Sequence, residues 1–449
     1  MKKLLLAGFL SLVAGVALAQ DFKTGYFLEN YTYSYRTNPG ASLDGKPCIF
    51  FGVGIGNVTA NVNSNLSVSS FLNREMDALF FDSSVSMEDA MAGFNPDNSL
   101  LLNANVNLVT FGRQTDLDRF SIEINARSDS YLNLPYGAIS ATKRALEGLA
   151  TKNWDNDFVF SGLRADANLY TEIAFGYTRK LGDEFTVGGR FKGLVGMADL
   201  SANMDADVHL RDIKTSDETV SGKLDGVVRL ASPVQLDIAT YKNHYDLYTT
   251  DYAQLLDDLL HGTHRKIAGW GAAVDLGVTY EPIEGLSLSA SLLDLGFIRW
   301  NSTINGTLAF DKTIKTGEGG ADIGSEIFSL EDTGEKAYTT LLNYTIHAGA
   351  KYKMPFYDKL SLGLLGTVQS NYKELRLGAN IAPLDLLSIA ASCGLTNYGT
   401  DFGLALNLRA PFLDFFVGTD ALILPSGPIK TMFSKKLNTL LSAGLVITI

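Results

Sequence analysis

The residue types that most often catalyse reactions or bind metals are few and widely spaced in this sequence. Its five histidines stand at positions 209, 244, 261, 264 and 347. Only the pair at 261 and 264 could share one face of a helix, and a zinc site needs further ligands. No Gly-x-Ser-x-Gly, His-Glu-x-x-His or phosphate-loop motif is present. We therefore predict no metal, no cofactor and no catalytic residue; an enzyme site assembled from distant strands is an alternative.

Charged residues within otherwise apolar segments are more informative. Glu172, Arg190, Lys192, Asp275 and Arg409 each lie on the polar face of a segment in which apolar and polar residues alternate. An arginine or lysine that faced lipid near the middle of a bilayer would reduce the stability of the barrel by about 2–4 kcal/mol. We therefore expect these side chains to face the interior of a closed sheet. There they could line a polar pathway or contact a ligand, or they could pack the interior with salt bridges.

The segments that carry these charges alternate with a period of two residues. Alternation runs through 172–178 and 185–197, with a polar turn at 181–184 between them. It returns through 272–280 and 286–292, where leucines alternate with serines after a turn at 281–285. A helix would scatter such leucines around its circumference, whereas a strand places them on one face. Both pairs of segments therefore predict β-hairpins with one apolar face.

The C-terminal third repeats this pattern at a fixed interval. Pro355, Pro383 and Pro411 follow one another at intervals of 28 residues, and each is followed closely by an aspartate. Proline donates no hydrogen bond to a ladder, so it belongs at strand ends and turns. This interval suits two strands of about 10 residues with their connections. We predict a meander whose proline turns share one side of a membrane and whose last strand occupies 437–449.

Composition and the N-terminus favour a secreted membrane protein. Residues 1–19 combine two lysines, an apolar run and Ala17-Leu18-Ala19, which is typical of a cleaved signal peptide. No later segment reaches 18 apolar residues without a charge, although 46% of the residues are hydrophobic. Sheet exposed to lipid reconciles these facts, because alternation dilutes hydrophobicity along the chain. The net charge of −12 argues against nucleic-acid binding, which needs basic patches.

Other segments are less regular. Short amphipathic helices are predicted at 136–150 and 250–262. Extended strands or a loop could occupy residues 199–235. A Gly- and acid-rich polar stretch covers residues 311–336. Cys48 and Cys393 are far apart in the sequence, and nothing places them together. We expect two separate thiols, although an oxidising compartment would permit a disulfide.

Several segments resemble outer-membrane barrels that are common in Bacteroidota. Residues 172–181 with 185–194, and Asn38-Pro39-Gly40, resemble the hairpin and the Asn-Pro-Ala element of fatty-acid-transporter-like barrels (FadL-like, including the PorV type of the type IX secretion system). Residues 293–300 and 50–72 are similar to a family of unknown function, DUF5723. The resemblance implies N-terminal material that enters or caps the lumen. Asn38 and Pro39 would then belong to a plug, whereas Asn-Pro by itself also favours an ordinary turn.

These observations predict an all-β fold, a transmembrane antiparallel β-barrel of about 14 strands (roughly 12–18) with an N-terminal plug-like segment and short loop helices. Residues 1–19 would be the signal peptide, 20–100 the plug or cap with the first strand or strands, and 101–449 the barrel. The barrel would lie in the cell outer membrane, surrounded by its lipids and inserted by the barrel insertion machinery.

Two functions fit this prediction. The resemblance favours a transporter or channel for small or hydrophobic molecules. The alternative is a structural or interaction barrel that anchors protein partners at the outer membrane, as in secretion systems. An apolar lumen pocket with an opening through the barrel wall would favour transport. A filled lumen with an apolar patch on ordered loops would favour the interaction barrel.

Overall fold

The computed structural model describes residues 22–43, 47–71, 78–82, 84–151, 155–211, 218–231, 267–301, 303–316, 337–384, 386–422 and 438–449. In these residues 17 strands form one antiparallel sheet. The strands are β1 (Cys48–Ser64), β2 (Asp97–Gln114), β3 (Asp118–Pro135), β4 (Asn156–Leu181), β5 (Phe185–Arg211), β6 (Glu218–Ala231), β7 (Gly269–Ile283), β8 (Leu286–Trp300), β9 (Thr303–Thr316), β10 (Tyr338–Leu341), β11 (Thr345–Lys353), β12 (Leu360–Val368), β13 (Lys373–Leu384), β14 (Leu387–Thr396), β15 (Gly399–Ala410), β16 (Leu413–Thr419) and β17 (Thr439–Thr448).

The sheet closes on itself because β17 pairs with β1. The wall of the resulting barrel has 14 strands, namely β1–β5, β7, β8 and β11–β17. Closure gives the backbone groups of every wall strand a neighbour, which a sheet exposed to lipid requires. The predicted all-β barrel of about 14 strands is therefore confirmed.

The two ends of the barrel differ. The connections β2–β3, β4–β5, β7–β8, β11–β12, β13–β14 and β15–β16 are all short, and they share one end with the start of β1 and the end of β17. We call this the short-turn end; Pro355, Pro383 and Pro411 all lie there, as predicted. The opposite, long-loop end carries the predicted helix, observed at Tyr136–Thr151. The predicted hairpins are β4–β5 and β7–β8.

Side chains alternate between the outside and the lumen along the wall strands. Phe175 and Tyr177 on β4 are each 49% exposed, whereas Ala174 and Thr178 beside them are buried. The same alternation runs along β13, where Leu375 and Leu377 are exposed and Glu374 and Arg376 are buried. The outer face is therefore an apolar band and the inner face is polar, which is the arrangement that lipid requires. In the described residues, none of the helices has the length and apolar character needed to cross a membrane.

Strands β4 and β5 continue beyond the barrel at the long-loop end. The far half of β5 pairs with β6, and β6 pairs with β9, so that four strands form an extension with an apolar cluster of Ala206, Val208, Val220 and Leu224. Within the polar stretch 199–235, residues 199–211 and 218–231 are strand, and residues 311–316 belong to β9, because each of these residues has a ladder partner. Residues 212–217, 232–235 and 317–336 lie outside the described residues. The helix predicted for 250–262 lies outside the described residues. Cys48 and Cys393 are both free thiols.

Among the irregularities of the wall ladders, those on β8 and β1 bear on the lumen. On β8, Leu293 and Asp294 are consecutive and both buried, and Asp294 has a φ of 58°. On β1, five residues (52–56) lie opposite two residues of β17 (445 and 446), so β1 carries three extra residues there. Such bulges redirect the side chains that follow them.

The apolar band predicts how the barrel responds to charge. Leu377 is 62% exposed near the middle of β13, and Leu384 is 54% exposed at its end. We expect Leu377→Arg to lower the free energy of unfolding in lipid vesicles by about 2–4 kcal/mol and Leu384→Arg to lower it by about 0–1 kcal/mol. Denaturant titration in vesicles measures both values. Equal values for the two substitutions would contradict this depth assignment.

Candidate functional site in the plugged lumen

The N-terminal segment 22–43, which we call the plug, lies inside the barrel. Its aromatic residues pack against β1 and β16: Phe22 stacks on Phe416 with ring centroids 6.2 Å apart, and Tyr31 meets the same ring edge-on at 5.0 Å. Tyr33 and Tyr35 continue the contact toward Phe50. We call Phe22, Tyr31, Tyr33, Tyr35, Phe50 and Phe416 the aromatic column. It fills the lumen behind the bulge of β1.

The start of the plug is held by a carboxylate of the wall. Both oxygens of Asp420 accept backbone hydrogen bonds, at 2.8 Å from the Lys23 N–H and 2.7 Å from the Thr24 N–H. The Thr24 hydroxyl also lies against Asp420 and against the hydroxyl of Ser392. An anionic group at the N-terminus of the short 3₁₀ turn Thr24–Tyr26 satisfies donors that the turn leaves open. Two residues on, burial raises the pKa of Tyr26 to about 12, so its hydroxyl, 2.9 Å from Ser289, stays neutral.

A buried ion cluster fills the centre of the lumen. Its carboxylates are Glu123, Glu172, Asp275 and Asp294, and its cations are Arg36, Arg127, Arg190 and Lys192; we call these residues the central ion cluster. Each carboxylate contacts at least one cation, and the formal charges sum to zero. Desolvation of charges in such a site is costly unless every charge is paired and hydrogen-bonded.

Arg36 is the member that the plug contributes. Its Nε donates to Glu123 Oε1 at 2.9 Å, and Tyr35 donates to the same oxygen at 2.8 Å. Arg190 reaches the other oxygen of Glu123 at 2.5 Å. Burial alone would lower the pKa of Arg36, but the Glu123 carboxylate and the Tyr35 and Tyr33 hydroxyls together outweigh this effect and raise the pKa, so Arg36 remains charged. Glu123 therefore joins the plug to the wall.

Asp294 joins the other part of the cluster. Both of its oxygens accept from Arg127, at 2.8 and 2.9 Å, and Lys192 lies 2.5 Å from Oδ1. Lys192 also lies 2.8 Å from Asp275. Asp294 reaches these cations because the bulge of β8 turns it inward directly after Leu293, which is also buried. The bulge is thus required by the cluster.

The turn after Arg36 docks closely on the wall. Asn38 donates to Thr279 Oγ1 at 3.0 Å, and the Thr178 hydroxyl donates to the Pro39 carbonyl at 2.7 Å. Beneath the turn lie Gly188 and Gly277, which are register partners on β5 and β7. A Cβ at Gly188 would lie 2.0 Å from the Pro39 oxygen, and one at Gly277 would lie 2.0 Å from Asn38 Oδ1. Only glycine fits at either position, and we call this pair the glycine cradle.

The residues predicted from sequence occupy three places. Glu172, Arg190, Lys192 and Asp275 meet in the central ion cluster, and Asn38 and Pro39 lie in the plug on the glycine cradle. Arg409 lies apart at the short-turn end, where its Nη2 is 3.6 Å from Cys48 Sγ. Sequence reasoning missed Arg36, Glu123, Arg127 and Asp294. Glu123 and Arg127 stand in alternating polar positions of β3, a signal that could have identified both.

The cavities found beside the plug among the described residues are small. Two cavities of about 10 Å³ each, close to the size of one water, border the central ion cluster and the aromatic column. Larger cavities, of about 120 and 50 Å³, lie at the short-turn end. Their linings are mainly polar and charged, so the apolar lumen pocket that would have favoured transport is not among them.

The fold and this interior define a plugged transmembrane β-barrel. Residues 47–420 match the model of a family of unknown function (DUF5723), and the chain belongs to this family, as the sequence resemblance predicted. Among curated proteins, no sequence matches the chain.

Solved structures with a similar outline are hydrocarbon and fatty-acid-transporter-like barrels. The chain is similar to the toluene transporter TbuX of Ralstonia pickettii (11% identity, 92% of each chain, TM-score 0.39). It is also similar to a FadL homologue of Pseudomonas aeruginosa (10% identity, 97% of this chain and 96% of that one, TM-score 0.40) and to the toluene transporter TodX of P. putida (6% identity, 92% and 91%, TM-score 0.36). At these identities and TM-scores, function has to be argued from the residues of this chain.

The glycine cradle predicts a specific way to release the plug. We expect Gly277→Ala to push the Asn38-Pro39 turn off the wall, because backbone atoms of the plug cannot yield cheaply to a Cβ. Gly193→Ala, on β5, is the matched control because its Cβ would meet nothing within 4 Å. Trypsin cleavage measures the difference, because Lys23 and Arg36 are only 1% and 8% exposed in the docked plug and become accessible when the plug is released. Cleavage at these residues should accelerate in Gly277→Ala only; equal protection in both variants would contradict the docking role.

The central ion cluster predicts a large effect of a single neutralised carboxylate. Glu123→Gln keeps the shape of the side chain but leaves Arg36 and Arg190 without their shared partner, and it should destabilise the barrel by about 3–5 kcal/mol. Asp166→Asn is the control, because its pair with Arg164 is exposed and worth about 0–1 kcal/mol. Unfolding free energies in vesicles measure both. A loss below 1 kcal/mol for Glu123→Gln would show that the cluster is not a structural unit.

Proposed function

We propose that this protein is an outer-membrane transporter for small, largely apolar molecules, closed by its plug in the state seen here. The carrying observation is the bulge of β1 in front of the aromatic column. Residues 54–56 have no register partner on β17 or on β2 in the described ladders. They lie opposite the part of β17 whose outward residues Leu445 and Ile447 are each 45% exposed, and therefore within the apolar band. An interruption of the wall at membrane depth offers a lateral route between lipid and lumen.

The position of the plug supports a gated route. Directly inside the bulge, a cavity of about 10 Å³ is bordered by Tyr31 and Tyr33 of the plug and by Asn57 and Thr59 of β1. A shift of these rings would enlarge this space without breaking the barrel ladder. An apolar molecule would then exchange contact with lipid for contact with the aromatic column, at little desolvation cost. Short turns of such barrels face the periplasm, so the short-turn end would be the exit.

The bulge can be removed without disturbing the rest of β1. Phe50 and Asn57 both face inward, although they are seven positions apart. In a regular strand, two residues that face the same side are separated by an even number of positions. The bulge must therefore contain an odd number of extra residues. Deletion of residues 54–56 restores an even interval and leaves two residues of β1 opposite two of β17. The inward faces and the plug contacts would be retained. This deletion therefore tests the route while the barrel stays closed.

The test is uptake by cells whose lipopolysaccharide layer blocks passive entry. With the native chain, cells should take up radiolabelled toluene or decanoate faster than cells with empty vector, and the deletion variant should return uptake to the background. Uptake of a small polar solute serves as the control and should not respond. Heat-modifiable gel mobility verifies that the variant barrel is folded.

The interaction barrel remains a second candidate because the lumen is filled and the four-stranded extension of β4, β5, β6 and β9 stands outside the wall. The same experiment separates the two functions. If native and empty-vector cells take up both apolar probes at the same rate, transport is contradicted and the interaction barrel is favoured. If the deletion variant transports as fast as the native chain, the lateral route through β1 is contradicted.

A further inference from the structure

A second site lies at the short-turn end, beneath the plug, and it does not depend on transport. The cavity of about 120 Å³ is bordered by the plug residues Glu29 and Asn30 and by the wall residues Lys353, Lys359 and Arg409. Asn30 has a φ of 55°, which turns the plug chain sharply at the cavity. We call this space the mouth cavity. It joins the plug to the turns that connect β11–β12, β13–β14 and β15–β16.

Positive charge dominates this region although the chain as a whole carries −12. Three cations line the mouth cavity against two carboxylates, Glu29 and Asp358. The neighbouring cavity of about 50 Å³ shares Asn30 and Arg409 with it, and adds Arg119 and Lys351 with no further carboxylate. Together the two cavities bring five cations to one mouth of the barrel.

Four of these cations make no direct ion pair in the described residues. Within the described part of the chain, no carboxylate oxygen lies within 4.0 Å of the side-chain nitrogens of Lys351, Lys353, Lys359 or Arg409. Lys359 donates to the Pro383 carbonyl at 2.8 Å, and Arg409 hydrogen-bonds the Cys48 sulfur at 3.6 Å. Arg409 also interacts electrostatically with Asp414, its register partner on β16, without a direct ion pair. In the central ion cluster, by contrast, every cation is paired with a carboxylate. Unpaired cations around a concave site attract an anion and gain charge-assisted hydrogen bonds from it.

We propose that the mouth cavity binds an oxyanion, a carboxylate or a phosphate, between Arg409, Lys353 and Lys359. Arg409 supplies a planar fork of donors, which suits two oxygens of such a group, and the lysines supply point charges. Because the plug residue Asn30 lines the cavity opposite the wall cations, the bound anion would touch both the plug and the wall. The shared chemistry comes from a soluble carboxylate or phosphate or from the headgroup of an anionic lipid.

The test is calorimetric titration of the full chain in phosphate-free, non-ionic detergent. The probes are inorganic phosphate, succinate and the short-chain lipid dihexanoyl phosphatidylglycerol. We expect saturable binding of at least one probe, and dissociation constants about tenfold higher or more for Arg409→Gln and for Lys359→Gln. Lys180→Gln is the matched control, since this half-buried lysine lies at the same end but outside both cavities.

The outcomes distinguish the sources of the anion. Tighter binding of the lipid than of phosphate or succinate assigns the site to a headgroup, and the reverse order assigns it to a soluble anion. No saturable binding of any probe to the native chain overturns the proposal. An equal weakening in Lys180→Gln also overturns it, because the effect would then reflect the general charge of this end. Heat-modifiable mobility confirms that each variant is folded before titration.

Discussion

The structure depends on neutralising charges inside a closed sheet. The wall contributes four carboxylates to the central ion cluster but only three cations, so the wall alone would carry one uncompensated negative charge at the centre of the lumen. Arg36 of the plug supplies the missing positive charge through Glu123. Buried ion pairs add little net stability compared with apolar packing, but breaking one is expensive. The cluster therefore fixes where the plug lies more than it strengthens the barrel.

The same requirement explains the irregularity of β8. Up to Leu292 this strand follows strict alternation, with Ser287, Ser289 and Ser291 turned inward. The bulge at Leu293 and Asp294 reverses the order, so that Ile298 and Trp300 are fully buried and Arg299 is exposed. Without the bulge, the charge of Asp294 would be lost from the cluster and Trp300 would leave the lumen. The bulge at Leu293 and Asp294 thus places a carboxylate in the central ion cluster and also buries Ile298 and Trp300 at the long-loop end.

Local sequence pattern predicted several of the wall strands, because their side chains alternate between lipid and the polar lumen. The hairpins β4–β5 and β7–β8, the proline turns and the last strand all follow from this period of two. The pairing of β6 with β9 did not follow, because distant segments meet there without a distinct pattern. Glu172, Arg190, Lys192 and Asp275 were found as charges on polar faces. Asp294 and Arg36 were not, because a bulge and a plug place them by tertiary contacts that alternation does not encode.

The anchors of the plug also limit how it can move. Complete withdrawal would separate Arg36 from Glu123, the Lys23 and Thr24 backbone from Asp420, and the Asn38 turn from the glycine cradle, leaving several buried polar groups without partners. Between the anchors at Asp420 and Glu123, the rings of Tyr31 and Tyr33 pack edge-on against Phe416 of the wall, and a displacement of these two rings leaves the ion pair of Arg36 with Glu123 in place. The least costly movement is therefore local, in the aromatic column behind the bulge of β1. The constraint that holds the plug in place thus directs any opening toward the interrupted part of the wall.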